Sequence, residues 1–369
     1  AFRQLMDLSE HRMRAGLTQW PDGEAEAEAW VDHDGVNLEQ PLRLHVKVIK
    51  QGDQVTIDYS GMNEQVRGPI NLRPQHGMTA ALLALLAHLD PTIPINHGAL
   101  RPVTIINPEG RLTNARWPAP CNSYYGLMHA IYSTVQKALG EFDPSRAVGT
   151  AGFGSGALAA GFRHVRVGKQ AIMYELMVSS LGGTPEHDGT YPVQPMSHAT
   201  PSTPVEIIET EFPIRVLEYQ WTTDSAGAGR YRGGPGFRKE YQVLEDAPVT
   251  VRCGHQFKYP GWGVLGGMPP STPQVLHRRD GATIRSLGPL ETMEMKVGDS
   301  LRFNVPGGGG CGDPRERVAG EVLEDVLNGY VSLEAAERDY GVAIDAASMT
   351  VDTQRTATLR PGRKRYSRL

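Results

Sequence analysis

The densest chemical signal in the sequence is Gly307-Gly308-Gly309-Gly310-Cys311-Gly312-Asp313-Pro314, lying straight after a strand pattern and just before a helix pattern. Consecutive glycines allow positive φ and let backbone N–H groups converge on an anion beside a helix N-terminus. The run lacks the Lys-Ser/Thr of a phosphate-binding loop and the spacing of a dinucleotide turn, so a tight packing turn is the plainer reading. Cys311 within it is a nucleophile by type, but no histidine can be assigned to it, and a small buried filler is the alternative.

Two further stretches carry polar groups at close spacing. Asn96-His97-Gly98-Ala99-Leu100-Arg101 places an amide, an imidazole and a guanidinium in one turn. Such groups can grip a carbonyl or a carboxylate. Asn71, after Pro69-Ile70, is a similar turn amide. Glu186-His187-Asp188-Gly189 followed by His198 offers carboxylates and imidazoles suited to acid–base work or a metal. Histidines eleven residues apart are not a recognised ligand spacing, so no metal ligand is assigned.

The elements that must position these groups read as α+β: mixed, loop-rich, antiparallel sheets with packed helices and a β-rich second unit. Phe2, Leu5, Met6, Leu8 and Met13 predict a helix over residues 1–18. Leu42 to Val48 alternates, and Val55 to Tyr59 follows the turn Gln51-Gly52-Asp53, which predicts an antiparallel hairpin with one buried face. Met78 to Leu86 is apolar on nearly every side and predicts a buried helix; Ser123 to Leu139 predicts a second, stopped by Gly140. Residues 146–200 read as Gly-rich and irregular with one strand over Ala171–Val178. Short strands return at Val205–Ile208, Ile214–Tyr219, Glu240–Val243, Val249–Arg252 and Ser300–Asn304, and two short helices start near Val318 and Ser332. The units expected are 1–145 (hairpin and two buried helices), 146–202 (irregular connection), 203–312 (β-rich), 313–350 (C-terminal helices) and 351–369 (a solvated basic tail).

Composition narrows the function classes. The chain has 369 residues, 40% of them hydrophobic and 21% charged, which fits a soluble globular protein of two or three structural units. Thirty-seven basic residues against 41 acidic ones give a net charge of −4, with no bulk field for nucleic acid or an anionic membrane. Three widely spaced cysteines fit a reducing, cytoplasmic setting better than a disulfide framework. The first residue is not methionine and the chain opens directly into a helical pattern, as expected of the later part of a longer product or a processed subunit.

Several blocks together resemble the hydantoinase B/oxoprolinase family. They are Asp58-Tyr59-Ser60-Gly61 with Arg67-Gly68-Pro69-Ile70-Asn71, Asn96 to Val103, Gly227-Ala228-Gly229-Arg230-Tyr231-Arg232-Gly233-Gly234, and Pro306 to Pro314. The ending from Glu324 to Val342 completes the series, and the blocks keep family order over residues 1–345. The resemblance implies a subunit of a cytoplasmic ATP-dependent complex that hydrolyses a carbonyl-phosphorylated lactam or hydantoin. ATP and Mg are then held mainly by a hydantoinase A-like partner subunit. The family's upstream Asp/His segment, which looks like a divalent-metal site, has no match in this chain and is expected on a separate chain or lost. Within this picture Asn71, Asn96 and Arg101 are expected to contact a small-molecule substrate, with Glu175, Asp188 and His198 in acid–base or positioning roles. Ser179-Ser180-Leu181-Gly182-Gly183, His198 and Cys311 depart from the family pattern. A subunit of an ATP-dependent ketone carboxylase and a non-catalytic scaffolding subunit remain as alternatives.

Overall fold

The computed structural model describes residues 1–152, 156–191, 193, 202–254 and 256–360. In the first half, α1 (Phe2–Leu17) leads into β1 (Gly23–Val31), β2 (Leu42–Gln51) and β3 (Gln54–Asp58), followed by α2 (Pro74–Leu89), the single turn α3 (His97–Leu100), β4 (Val103–Ile106) and α4 (Tyr124–Leu139). The sheet order is β1-β2-β3-β4, antiparallel except that β4 runs parallel to β3. A parallel neighbour needs a crossover, and α2 supplies it. Leu42, Leu44, Val46 and Val48 point inward from β2, while the residues between them are partly exposed. Helices α2 and α4 pack on each other, and α4 lies on β1 and β2. The continuous apolar surface of α2 is used on several sides, with Ala80, Ala81, Ala84, Leu85 and Leu86 all buried.

The second half pairs two antiparallel sheets. Its strands are β5 (Gly156–Arg163), β6 (Gln170–Met177), β7 (Ile214–Thr222), β8 (Gly236–Val243), β9 (Ala247–Cys253), β10 (Gln274–Arg279), β11 (Ala282–Leu287), β12 (Leu290–Met295) and β13 (Asp299–Val305), with α5 (Val205–Glu211) before β7. One sheet has the order β12-β9-β5-β6 and the other β11-β10-β13-β8-β7. Phe162, Met173 and Met177 from the first meet Phe237, Tyr241, Leu301 and Phe303 from the second in one core. The chain closes with α6 (Ala319–Leu327), α7 (Leu333–Arg338), the ribbon β14 (Ile344–Asp345) and β15 (Thr350–Val351), and α8 (Thr353–Leu359), gathered around Val322, Ala336, Tyr340 and Val342. Asp32, just after β1, joins the halves by accepting the backbone N–H groups of Phe257 (2.6 Å), Lys258 (2.9 Å) and Tyr259 (3.3 Å). Among the described residues no helix is long and apolar enough to cross a membrane.

Three local expectations change. Val205–Ile208 belongs to helix α5, not to a strand, because Pro204 opens a helix and only Ile208 turns inward. Residues 146–202 contribute both β5 and β6; Gly156, Gly161 and the alanines between them look like turn residues, yet they suit a strand with close neighbours, since an added Cβ at Gly161 would meet Pro248 at 3.3 Å. Residues 351–360, expected in a solvated tail, complete β15 and form α8, where Arg355 pairs with Glu337 at 2.6 Å and Arg360 donates to the Tyr340 carbonyl at 2.7 Å. Residues 361–369 lie outside the described residues.

Candidate functional site

The glycine run is a packing centre. The six N–H groups from Gly307 to Gly312 donate in turn to the carbonyls of Ser225, Gly234, Thr150, Met268, Tyr231 and Val264, at 2.8 to 3.1 Å. All six donors are spent on the protein, so the run does not fit a nucleotide phosphate. From Gly307 to Gly310 glycine is required by close approach. An added Cβ on Gly308 would lie 2.0 Å from the Leu181 oxygen, and one on Gly233 would lie 1.8 Å from the Gly308 oxygen. Gly182 meets Gly149 in the same way, so the divergent Ser179–Gly183 stretch lies inside this bundle. Cys311 is 1% exposed, and burial pushes its thiol up to about 11, which makes it a filler and not a thiolate.

The residues expected to form the site are spread over the molecule, each with a structural partner where it is described. Asn71 is fully buried; its amide donates to the carbonyls of Val66, Gly68 and Pro120 and accepts from the Val66 N–H, stapling two loops. Asn96 caps α3 by accepting from the Gly98 N–H at 2.8 Å and donates to Ser9 Oγ at 2.8 Å. Arg101 bridges Asp7 and Glu10 at 2.8 and 2.7 Å, holding α3 against α1. Glu175 pairs with Lys239 at 2.8 Å between the two sheets. Asp188 accepts both terminal nitrogens of Arg317 at 2.7 Å and the Arg232 N–H at 2.9 Å. Asp325 completes that cluster, pairing with Arg232 and Arg317 at 2.8 and 2.9 Å. The structure therefore brings Asn96 near Arg101 on the α1 side, while Asn71, Glu175 and Asp188 each sit in a separate set of contacts. His198 lies outside the described residues. Among the described residues no three His, Cys, Asp or Glu side chains group as a metal would require.

A different constellation forms where α2 and α4 begin. His76, in the first turn of α2, stacks on Tyr124, the first residue of α4, with ring centroids 4.4 Å apart and planes 14° from parallel. The two N-termini therefore lie side by side, and each contributes partial positive charge. His76 Nδ1 accepts the Arg73 N–H at 3.2 Å, which leaves the hydrogen on Nε2, and burial lowers the pKa of the imidazole. Tyr125 packs against His129 at 4.4 Å. Arg252, near the end of β9, reaches across to Ser123 Oγ at 2.7 Å and the Asn122 carbonyl at 3.1 Å. Gly126 allows this approach, since an added Cβ would lie 3.3 Å from the Cα of Gly254. Neighbouring Cys253 has its thiol pushed up to about 12 by burial, so it stays protonated.

The arrangement combines a neutral imidazole donor, aromatic faces, a guanidinium and two helix N-termini. Those groups suit a planar ligand bearing a carbonyl or phosphoryl oxygen. No local motif announces it, because His76 and Tyr124 are forty-eight residues apart. Pro74, a residue suited to a first helical turn, and Ser123 are the signals that could have marked the two helix starts, and only packing shows that they coincide.

Comparison with known proteins places this architecture. A family model described as hydantoinase B/oxoprolinase matches residues 1–314. The putative B-type subunit of a D-/L-hydantoinase from a Pseudomonas strain is 32% identical over 98% of this chain and 62% of its own length. The crystal structure of an ATP-dependent caprolactamase from Pseudomonas jessenii superposes with a TM-score of 0.87 at 29% identity, over 97% of this chain and 63% of that one. A nucleotide-free acetone carboxylase structure shares the fold, with a TM-score of 0.83 at 20% identity over 96% of this chain and 54% of its own. The chain spans less than two thirds of the length of these relatives. With the family model matching 314 of 369 residues and the fold shared nearly end to end, the chain belongs to the hydantoinase B/oxoprolinase family.

Proposed function

We propose that this chain works as part of a B-type subunit in an ATP-dependent cyclic-amide hydrolase, receiving a lactam or hydantoin whose carbonyl oxygen has been phosphorylated on a hydantoinase A-like partner. The observation that carries the reading is the 32% identity to the B-type component of a hydantoinase along 98% of the chain. An amide carbonyl is a poor electrophile, and phosphorylating its oxygen makes that oxygen a leaving group. Water then adds to the carbon and the ring C–N bond breaks with a proton passing to nitrogen, which leaves an acyl phosphate; a second water cleaves it, releasing inorganic phosphate and the open-chain acid.

In this reading the chain's own residues bind and orient. The stacked His76 and Tyr124 rings hold a flat ring, the His76 Nε2–H donates to an oxygen of the activated group, and Arg252 with the two helix ends balances phosphoryl charge. ATP and Mg fall to the partner, which agrees with a glycine run whose N–H groups are already spent.

The test is to co-purify the full-length B-type subunit with its partner and measure ATP hydrolysis against ring opening of hydantoins and lactams. Ring opening in step with ATP use is the expected result. ATP use that requires bicarbonate and a ketone would move the chain to the carboxylase branch. Unchanged turnover in a His76→Ala, Arg252→Ala double variant would assign it a scaffolding role.

A further inference from the structure

The C-terminal ends of α1, α2 and α4 meet around a cavity of about 320 Å³, lined in part by Gln19, Trp20, His88, Phe142, Asp143 and Arg146. That volume lies at the small end of ligand pockets. Trp20 and Phe142 stack at 5.9 Å as an aromatic wall. His88 is 2% exposed, and its Nδ1 lies 3.2 Å from the Ala84 carbonyl. A carbonyl only accepts, so Nδ1 carries the hydrogen and Nε2 keeps its lone pair. Nε2 is buried and has no hydrogen-bond partner. Burial lowers the His88 pKa to about 4, so the ring is a neutral acceptor at pH 7.

Leaving a buried acceptor unsatisfied is costly, and the His88 side chain that carries it borders a cavity. Three helix C-termini direct partial negative charge toward the same region, and Asp143 adds a carboxylate, so the inner end favours a donor cation. Arg146, exposed on the cavity wall, supplies the opposite charge. We propose that the cavity is a binding site for an amino-acid-sized zwitterion with an apolar body. Its ammonium donates to His88 Nε2 and Asp143, its carboxylate meets Arg146, and its body lies on Trp20 and Phe142. Because Nε2 is closed to solvent, the ligand reaches it by displacing the lining. The site lies at the far end of α2 from His76, twelve residues and about 18 Å along the helix, and does not depend on the ring-opening reading.

The test is calorimetric titration of the full protein with L-phenylalanine and 6-aminohexanoate, beside 3-phenylpropionate and phenethylamine, which each lack one charge. Binding of at least one zwitterion, at least about tenfold tighter than both single-charge analogues, is expected. Arg146→Ala and His88→Leu should each weaken it by about the same factor while thermal unfolding stays cooperative. Absence of binding, or binding that both variants leave intact, overturns the site. A His88→Leu protein that is more stable while no zwitterion binds the wild type would show a water-filled void, which also overturns it.

Discussion

The carboxylate of Glu175 on β6 lies 2.8 Å from the ammonium of Lys239 on β8, with both side chains no more than 4% exposed between the two sheets. The ammonium also lies over the Tyr219 ring at 4.6 Å and the Tyr241 ring at 5.1 Å. Removing one partner strands the other charge in a dry core, which costs about 3–5 kcal/mol, whereas replacing both with apolar residues is far milder. Glu175→Leu should therefore lower the urea-derived stability by that amount, and adding Lys239→Met should recover most of it. A Glu175→Leu protein as stable as wild type would show that the pair carries no such role.

Arg317 ties three segments together through the Asp188 and Asp325 carboxylates. Asp188→Asn removes the charge facing a guanidinium that is 4% exposed and should cost about 1–3 kcal/mol in denaturant titration. Arg317→Lys should not substitute, because an ammonium cannot reproduce a planar fork that meets two carboxylates at once.

Gly308 and Gly320 form a matched pair of glycine-to-alanine tests. The added methyl on Gly308 would meet the Leu181 oxygen at 2.0 Å, while Gly320 in α6 has nothing within 4 Å. Gly308→Ala should leave little folded protein by circular dichroism. Gly320→Ala should be neutral or stabilise by up to about 1 kcal/mol, since alanine loses less entropy in a helix.

His88 gives the pH dependence a sign. Its pKa falls from 6.5 in the unfolded chain to about 4 in the fold, so the unfolded state binds the extra proton between those values. Stability is full above pH 6.5 and is lost as pH falls toward about 4, by about 3 kcal/mol in total. Urea midpoints for wild type should drop across this window more steeply than those for His88→Leu. Equal slopes would remove His88 as the cause.

Arg252 and His76 are expected to act on turnover and not on folding. In the reconstituted complex, Arg252→Ala should lower kcat/KM by about 10- to 100-fold, consistent with the loss of one charge-assisted contact to a developing anion. Its melting temperature should change little. Loss of the melting transition without a kinetic defect in the remaining folded fraction would make Arg252 a structural tie to Ser123 and nothing more.

Periodicity alone determined the helices at α1, α2 and α4, the β2–β3 hairpin and most strands that alternate strongly, because a one-sided apolar face is a local pattern. Family membership was equally legible, since its blocks are contiguous. Strands β5 and β10 to β12 were not, because small or polar residues there answer to neighbours far along the chain. Each side chain chosen for chemistry and described in the structure has a structural partner: Asn71 staples loops, Asn96 caps a turn, Arg101 joins helices, and Glu175 and Asp188 neutralise buried cations. Residue type reveals hydrogen-bonding capacity, but not who consumes it. The tertiary structure decided that, and it alone set His76 on Tyr124 and turned a phosphate-like glycine run into a bundle whose donors are spent on its own backbone.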